Sequence, residues 1–134
     1  MRAEDGVPSP AAERVEPDEF RVVMSRFATG VTVVTCRQDG FDHAMTANSF
    51  TSVSLEPELV LFCVQQDSRF HEAIHASSQW VVNLLTADQA AVARWFAERG
   101  RPLQRQMDLV EYTRDEDGIA VLTGSIGHLA CTTE

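Results

Sequence analysis

The sequence contains no lysine, so all eleven of its basic residues are arginines, against twenty acidic residues and a formal net charge of −9. Without lysine, the chain can neither form a Schiff base with a carbonyl substrate nor build a Walker-A phosphate loop. The negative charge also opposes binding to nucleic acid or to an anionic membrane surface. We therefore expect neither a nucleic-acid partner nor a membrane partner.

Cysteine is scarce, and no apolar run approaches the roughly 20 residues of a membrane-spanning helix. The three cysteines, Cys36, Cys63 and Cys131, are far apart and form no Cys-x-x-Cys pair. This usage, and an N-terminus without the apolar segment of a secretory signal, predict reduced thiols and a cytoplasmic location. Each cysteine lies in an apolar, strand-like segment, so we expect inert, buried thiols.

Several catalytic signatures are missing too, since the sequence has neither Gly-x-Ser-x-Gly nor Gly-x-Gly-x-x-Gly. The exception is His71-Glu72-Ala-Ile-His75, a literal His-Glu-x-x-His. On a helix, the two histidines share a face and could bind zinc, with Glu72 as general base. A zinc hydrolase is therefore one alternative, although His128 is the only later histidine. The simpler interpretation is two histidines on a helix surface.

Length and composition predict one globular domain, because 134 residues with 44% hydrophobic and 23% charged residues are typical of that class. Residues 1–16 combine charges with glycine and proline, which predicts a flexible N-terminal segment. The domain then spans residues 17–134. Its first element is a helix from Pro17 to near Gly30. The apolar residues of that helix recur at helical spacing and should face the core: Phe20, Val23, Met24 and Phe27.

Strand-like runs dominate the rest of the sequence and predict a mainly β domain with α insertions, a small barrel with helices between its strands. Asp39-Gly40 predicts a tight hairpin between the first two strands. The run at 59–64 is wholly apolar, so both faces of that strand should be buried. Short helices are expected at about 68–76 and 86–98, and residues 101–117 as a loop. The predicted strands are 31–36, 41–47, 59–64, 80–85, 119–122 and 125–132.

Small polar residues concentrate in two places that suggest a binding site. Residues 46–54 offer hydroxyl groups, an amide and open backbone. Asp67-Ser68-Arg69 stands at the start of a helix, where free N–H groups, the helix dipole and a guanidinium would converge on an anion such as phosphate. The alternative interpretation is N-capping of that helix by Asp67 or Ser68.

The order of these motifs resembles that of the short-chain flavin reductases, the reductase components of two-component flavin-dependent monooxygenases. The similarity extends from about Pro17 to the last residue. Each motif is weak alone, but together and in register they are specific. The segments that carry the resemblance are Phe27-Ala-Thr-Gly-Val-Thr-Val-Val-Thr35, Met45-Thr-Ala-Asn-Ser-Phe50, Ser52-Val-Ser-Leu-Glu-Pro57, Ser68-Arg69, Val81-Val-Asn-Leu-Leu85 and Arg94-Trp-Phe96.

The resemblance implies an FMN-binding split β-barrel, a homodimer, and an NAD(P)H-dependent flavin reductase. Such an enzyme reduces FMN or FAD with NADH or NADPH, and the reduced flavin diffuses to a partner monooxygenase. A flavin-binding barrel without reductase activity is an alternative. The sequence ends at Glu134, before the Gly-Asp-His segment that the resemblance would place further on. We therefore expect a split barrel that lacks its C-terminal closing strands in this chain.

The resemblance also assigns cofactor-binding positions residue by residue. One group should line the flavin ring and a second should hold its phosphate, with Arg69 as the only cation there because Gln66 occupies a position where relatives often have a base. No catalytic residue and no metal ligand is implied. The cofactor-binding positions are Thr46, Ala47, Asn48, Ser49, Ser52, Val53, Asp67, Ser68, Arg69 and Phe96.

Overall fold

The computed structural model describes residues 14–134, so most of the predicted flexible segment 1–16 lies outside the described residues. The predicted mainly β domain with helical insertions is confirmed. Two short 3-10 helices flank the last α-helix. In chain order the elements are α1 Pro17–Met24, β1 Thr32–Gln38, β2 Phe41–Ala47, β3 Thr51–Leu55, β4 Glu58–Leu61, α2 Arg69–Ala76, β5 Gln79–Leu84, 3-10 Ala87–Gln89, α3 Ala90–Ala97, 3-10 Leu103–Arg105, β6 Tyr112–Arg114, β7 Ala120–Leu122 and β8 Gly127–Thr132.

A four-stranded antiparallel sheet in the order β2-β1-β5-β8 forms the centre of the fold. The predicted hairpin joins β1 to β2, with Gln38 paired to Phe41 across the turn. Asp39 and Gly40 have φ angles of 52° and 81°. Two successive residues with positive φ match the right-handed twist of the strands, which is why Asp-Gly is favoured there.

The two central strands are buried on both faces of the sheet. Val33 and Val34 of β1, and Val81 and Val82 of β5, have no exposed surface. One hydrophobic cluster covers the face that carries Val33, and it includes Phe96 of α3. A second cluster covers the opposite face and includes residues of α2. The sheet is therefore a middle layer between α2 on one face and α3 on the other.

Asn83 is a polar side chain at the centre of this layer, fully buried in β5. Its Nδ2 donates to the Val33 carbonyl at 3.0 Å, and its Oδ1 accepts from the Leu122 N–H at 2.8 Å. The Thr35 hydroxyl adds a bond of 2.6 Å to the carbonyl of Ala120. Strand β7 pairs with β6 and not with a strand of the central sheet. The side chains of Asn83 and Thr35 therefore supply hydrogen bonds that attach β7 to that sheet.

Residues 101–117, predicted as a loop, contain a 3-10 helix and β6 instead. Strand β6 is held to the sheet by Arg114, which donates twice to the Asp42 carboxylate at 2.8 Å. Burial would raise the pKa of Asp42, but the hydrogen bonds and charges of Arg114 and Arg37 outweigh it and lower that pKa. The predicted strands 119–122 and 125–132 exist as β7 and β8, but each pairs with a different partner, β6 and β5.

The expectation that the apolar stripe of α1 faces the core is wrong. Its residues Phe20, Val23 and Met24, and Phe27 just beyond, are 45–67% exposed. The helix also ends at Met24 with Ser25 as its C-cap, well before Gly30. Helical spacing showed that α1 has an apolar face but not what covers it. No helix in residues 14–134 is long and apolar enough to cross a membrane.

The expectation that the run 59–64 is buried on both faces is also wrong. Strand β4 is shorter and pairs only with β3, forming a separate two-stranded hairpin. The pairing is irregular between Ser52 and Ser54, so Val53 lies in a bulge. Leu61 and Cys63 are exposed, whereas Val60, Phe62 and Val64 pack against the core. A two-stranded ribbon alternates its side chains, so its outer face stays uncovered within one chain.

We predict that Asn83→Ala lowers the free energy of unfolding by about 2–4 kcal/mol, because it leaves the buried Leu122 N–H without a partner and opens a cavity. Urea unfolding would measure the change. Asn48→Ala is the matched control, since Asn48 is exposed and should change stability by less than about 0.5 kcal/mol. Equal effects of the two substitutions would contradict the role assigned to Asn83.

Candidate functional site

A cleft of about 550 Å³ opens between the end of β2, the start of α2 and the segment that follows α3. Its volume lies in the usual range for sites that bind small molecules or cofactors. The structure brings together eight of the ten positions predicted from sequence: Thr46, Ala47, Asn48, Ser49, Asp67, Ser68, Arg69 and Phe96. The other two, Ser52 and Val53, lie on the exposed β3–β4 hairpin and do not line the cleft.

The β2 side of the cleft is a wall whose hydroxyl groups are already engaged. Thr46 donates to the Ala93 carbonyl of α3 at 2.6 Å. The Ser49 hydroxyl accepts from the Cys63 N–H at 3.0 Å and also contacts the Cys63 carbonyl at 3.4 Å. These bonds fix the backbone of 46–49 to α3 and to the end of the β3–β4 unit. The exposed Asn48 amide and the backbone edge are what this wall offers to a ligand.

The start of α2 is capped by Ser68. Its hydroxyl accepts from the His71 N–H at 3.1 Å and donates to the Gln65 carbonyl at 2.7 Å. N-capping, the alternative interpretation, therefore describes the Ser68 hydroxyl. The positive end of the α2 dipole nevertheless borders the cleft, because residues 67–70 line it. The Asp67 carboxylate lies 3.9 Å from the Arg99 guanidinium at the mouth of the cleft.

Three arginines line the cleft where the sequence predicted only Arg69. The additional ones, Arg99 and Arg101, flank Gly100, whose φ of 76° lets the chain turn immediately after α3. Because of that turn both residues border the same cleft as Arg69. Sequence reasoning assigned this segment to the end of a helix and missed the site. The signal was present, since Arg-Gly-Arg places two of the eleven positive charges of a lysine-free chain within three residues.

Arg101 is a buried guanidinium, only 9% exposed, without a carboxylate partner among the described residues. It donates to the carbonyls of Ala44 at 2.8 Å, Trp95 at 3.0 Å and Glu98. Burial and the neighbouring charge of Arg69 lower the pKa of Arg101. The bonds to Trp95 and Glu98 satisfy carbonyls at the C-terminal end of α3, where the helix dipole favours a cation.

Arg69 is positioned by Arg101, because its Nη2 donates to the Arg101 carbonyl at 2.9 Å. Beside it, the buried His43 has its pKa lowered, first by burial and then by the Arg69 charge. The imidazole is therefore uncharged near neutral pH. Gln106, also buried, binds β2 by donating to the Asp42 carbonyl at 2.7 Å and accepting from the Ala44 N–H at 3.4 Å. Sequence reasoning missed both His43 and Gln106.

Phe96 borders the cleft but is only 1% exposed, and the Arg101 guanidinium lies 5.5 Å from the centre of its ring. It supports the cleft wall from behind. The His71 and His75 rings are 4.4 Å apart on α2, as the motif predicted. However, residues 14–134 contain no group of three or more metal-ligating side chains close enough to hold a metal ion. A zinc site on α2 therefore has no third protein ligand within the described part of the chain.

Comparison with known proteins bears on this cleft, because the model of the family described as "Flavin reductase like domain" matches residues 24–134. The chain belongs to this family. The match includes every cleft segment described above. The resemblance to the flavin reductases that the motifs indicated is thereby confirmed.

Individual relatives of this flavin reductase-like domain agree with the assignment. It is 42% identical over 128 residues to an NADH-dependent FAD reductase of Streptomyces globisporus, covering 92% of this chain and 70% of that protein. It is 37% identical over 124 residues to HsaB, the reductase subunit of a flavin-dependent monooxygenase of Rhodococcus jostii (strain RHA1), covering 92% and 62%. The solved structure of the Streptomyces globisporus NADH:FAD oxidoreductase SgcE6 superposes with a TM-score of 0.82 at 40% identity, covering 93% of this chain and 76% of that one.

The chain thus spans 62–76% of the length of these relatives. The alignment with SgcE6 covers nearly all of the described residues. Its TM-score establishes that the central sheet and its flanking helices have the fold of a flavin reductase.

The expectation of an inert, buried thiol is wrong for Cys63, which is exposed at the cleft because its segment is covered on one face only. We predict that Cys63 reacts with a thiol reagent on the order of a hundredfold faster than the buried Cys36. Burial, together with the Asp42 charge, raises the pKa of Cys36 to about 12, and burial also raises the pKa of Cys131. Release of thionitrobenzoate from Ellman's reagent at pH 8 would show a fast phase that Cys63→Ser removes. A fast phase that persists in Cys63→Ser would contradict this assignment, and denaturation of the protein should expose all three thiols.

Proposed function

We propose that this domain works as an NAD(P)H-dependent flavin reductase that supplies reduced FMN or FAD to a partner flavin-dependent monooxygenase. Membership of the family supports this, as do relatives named as an NADH-dependent FAD reductase and as the reductase subunit of a monooxygenase. The observation that carries the proposal is the cleft itself. It joins a backbone wall, a helix start and three arginines around a volume suited to a flavin.

In this proposal, residues 46–49 border the flavin ring through their backbone and the Asn48 amide. The first N–H groups of α2 and the Arg69 guanidinium hold the phosphate, because a helix start and a cation both favour an anion. A carboxylate would repel phosphate, so Asp67 acts through Arg99, which it holds at the mouth. The flavin, when bound, supplies the hydride chemistry, and the protein supplies binding and orientation. Ser68 contributes by capping α2.

The test of the proposed activity is oxidation of NADH, and separately of NADPH, by the purified protein with free FMN or FAD. Turnover that depends on added flavin is the expected result. Flavin binding without turnover would favour the alternative, a non-catalytic flavin-binding barrel. Absence of flavin binding would overturn the proposal. The partner is tested by replacing a monooxygenase's own reductase with this protein and measuring hydroxylated product, since reduced flavin should reach the partner by diffusion.

We also propose that the domain is a homodimer and that its sheet is the core of a split β-barrel. Two uncovered apolar surfaces support the dimer. One is the stripe of α1, and the other is the outer face of the β3–β4 hairpin, where Leu55 is 79% exposed. Large exposed apolar patches of this kind are typical of protein interfaces. The dimer would place Ser52 and Val53 next to the partner chain and would complete the flavin site at the seam. A cytoplasmic location is proposed from the three free cysteines.

We predict that Arg69→Ala weakens flavin binding by about ten- to a hundredfold, because one charge-assisted contact contributes about 1.5–3 kcal/mol. Quenching of flavin fluorescence would measure the dissociation constants of FMN and FAD. Arg94→Ala is the matched control, since Arg94 is exposed on α3 and does not line the cleft. An unchanged flavin affinity in Arg69→Ala, with the fold intact by circular dichroism, would refute this placement of the phosphate.

We predict that the protein scatters light as a dimer at micromolar concentration, and that Leu55→Asp shifts it towards the monomer mass. A charge placed in an apolar interface loses its hydration without gaining a partner. Leu109→Asp is the control, because Leu109 is similarly exposed but lies between the second 3-10 helix and β6. If the unmodified protein has the mass of a monomer while flavin is still bound, the proposal that two chains together form the flavin site is wrong.

A further inference from the structure

The proposed function does not use the two histidines of α2, His71 and His75, although their rings lie side by side. The ring centres are 4.4 Å apart, and the rings meet edge to face at 65°. Residues four apart on a helix are neighbours on one face, so the backbone itself brings these two rings together. The surface of α2 therefore presents two imidazoles at one point.

Neither imidazole has a protein partner that accounts for its position. The backbone N–H of His71 bonds to Ser68, but within residues 14–134 neither ring forms a hydrogen bond or an ion pair. His71 is half-buried and His75 is exposed, so both rings border the solvent. Their nitrogen atoms are thus available to a ligand that comes from solution.

The glutamate of the same motif lies on another face of the helix. Glu72 lines a groove of about 430 Å³ between α2 and the β1–β2 hairpin, together with Ala73 and Ala76. Neither histidine lines that groove. A general base must come within hydrogen-bond reach of the water that it activates, and adjacent residues of a helix do not face each other. The two histidines are therefore suited to holding a metal ion, but not to hydrolysis with Glu72 as the base.

We propose that His71 and His75 form a bidentate chelate for a divalent transition-metal ion of the kind that imidazole prefers, such as Cu²⁺, Ni²⁺ or Zn²⁺. A metal bonded to two imidazole nitrogens at about 2.0–2.1 Å holds those nitrogens about 3 Å apart. Rings whose centres are 4.4 Å apart reach this separation by rotation of the side chains. Residues 14–134 offer no third protein ligand, so water completes the coordination. Cu²⁺ should bind most tightly, and Mg²⁺, which prefers oxygen ligands, should not compete.

The chelate joins the two ends of α2. Ser68 caps this helix of eight residues, so His71 lies in its first turn and His75 in its last. A helix of this length is not stable in isolation, and a metal bonded to both turns opposes fraying at either end. The site goes beyond the proposed function and does not depend on it, because neither histidine lines the cleft.

The test is calorimetric titration of the full chain, prepared without a histidine tag, with Ni²⁺, which the exposed Cys63 thiol does not reduce. We expect one ion per chain. His71→Ala and His75→Ala should each weaken binding by about a hundredfold or more, because two linked ligands bind about 10²–10⁴-fold more tightly than one. Ni²⁺ should also raise the urea midpoint of the unmodified protein, but not that of either variant.

A spacing control keeps the number of histidines constant. His75→Ala combined with Ala76→His moves the second ring off the shared face, and this variant should bind Ni²⁺ as weakly as His75→Ala alone. Cys63→Ser and His128→Ala should leave binding unchanged. The chelate is wrong if the unmodified protein binds no Ni²⁺, if the spacing control binds as tightly as the unmodified protein, or if Cys63→Ser abolishes binding. Two ions per chain, one lost with each histidine, would show separate sites and would also overturn it.

Discussion

The buried charge of Arg101 is the interaction on which the candidate site depends. A guanidinium removed from water is costly unless its donors are satisfied. Here carbonyl groups of β2 and of the C-terminal end of α3 accept from the two Nη atoms, whereas the buried Nε has no hydrogen-bond partner among the described residues. The same residue offers its own carbonyl to Arg69. One side chain and its backbone thus connect the sheet, α3 and α2 around the cleft. Removal of this charge would break the contacts between β2 and the end of α3, whereas removal of the Arg69 side chain would break only the link from α2 to the Arg101 carbonyl.

The features that could be predicted from the sequence are those determined by residues close together in the chain. The β1–β2 hairpin was predictable because Asp39 and Gly40 determine the turn within two residues. The start of α2 and the central strand β5 were also predictable from local signals. The signal for α2 was the capping residue Ser68, and the signal for β5 was its apolar run. Eight of the predicted positions line one cleft, and that they would meet there was predictable only from the resemblance, since no local rule brings residue 46 beside residue 68.

Long-range contacts account for what the sequence did not predict. Helical spacing identified the apolar face of α1, but the surface that covers such a face is not encoded in the spacing. The apolar run that became β4 was expected in a sheet centre and instead pairs only with β3, because period and composition do not specify the number of neighbouring strands. Arg99 and Arg101 reach the cleft through the left-handed turn at Gly100. Where that turn directs the two side chains depends on the position of α3, which the sequence alone does not give.

The exposed pair between Asp67 and Arg99 has a consequence for how long a product stays bound. Its side chains are about three-quarters exposed, and exposed ion pairs contribute little and weaken as salt screens them. A phosphate that reaches Arg99 competes with Asp67, so the anion gains a cation only by displacing a carboxylate. That exchange limits the residence time of the ligand. Under the proposed function the reduced flavin leaves for a separate enzyme, and a short-lived hold would suit that release. Because salt also screens the contact between a phosphate and the exposed Arg99, the rate of release should rise with ionic strength.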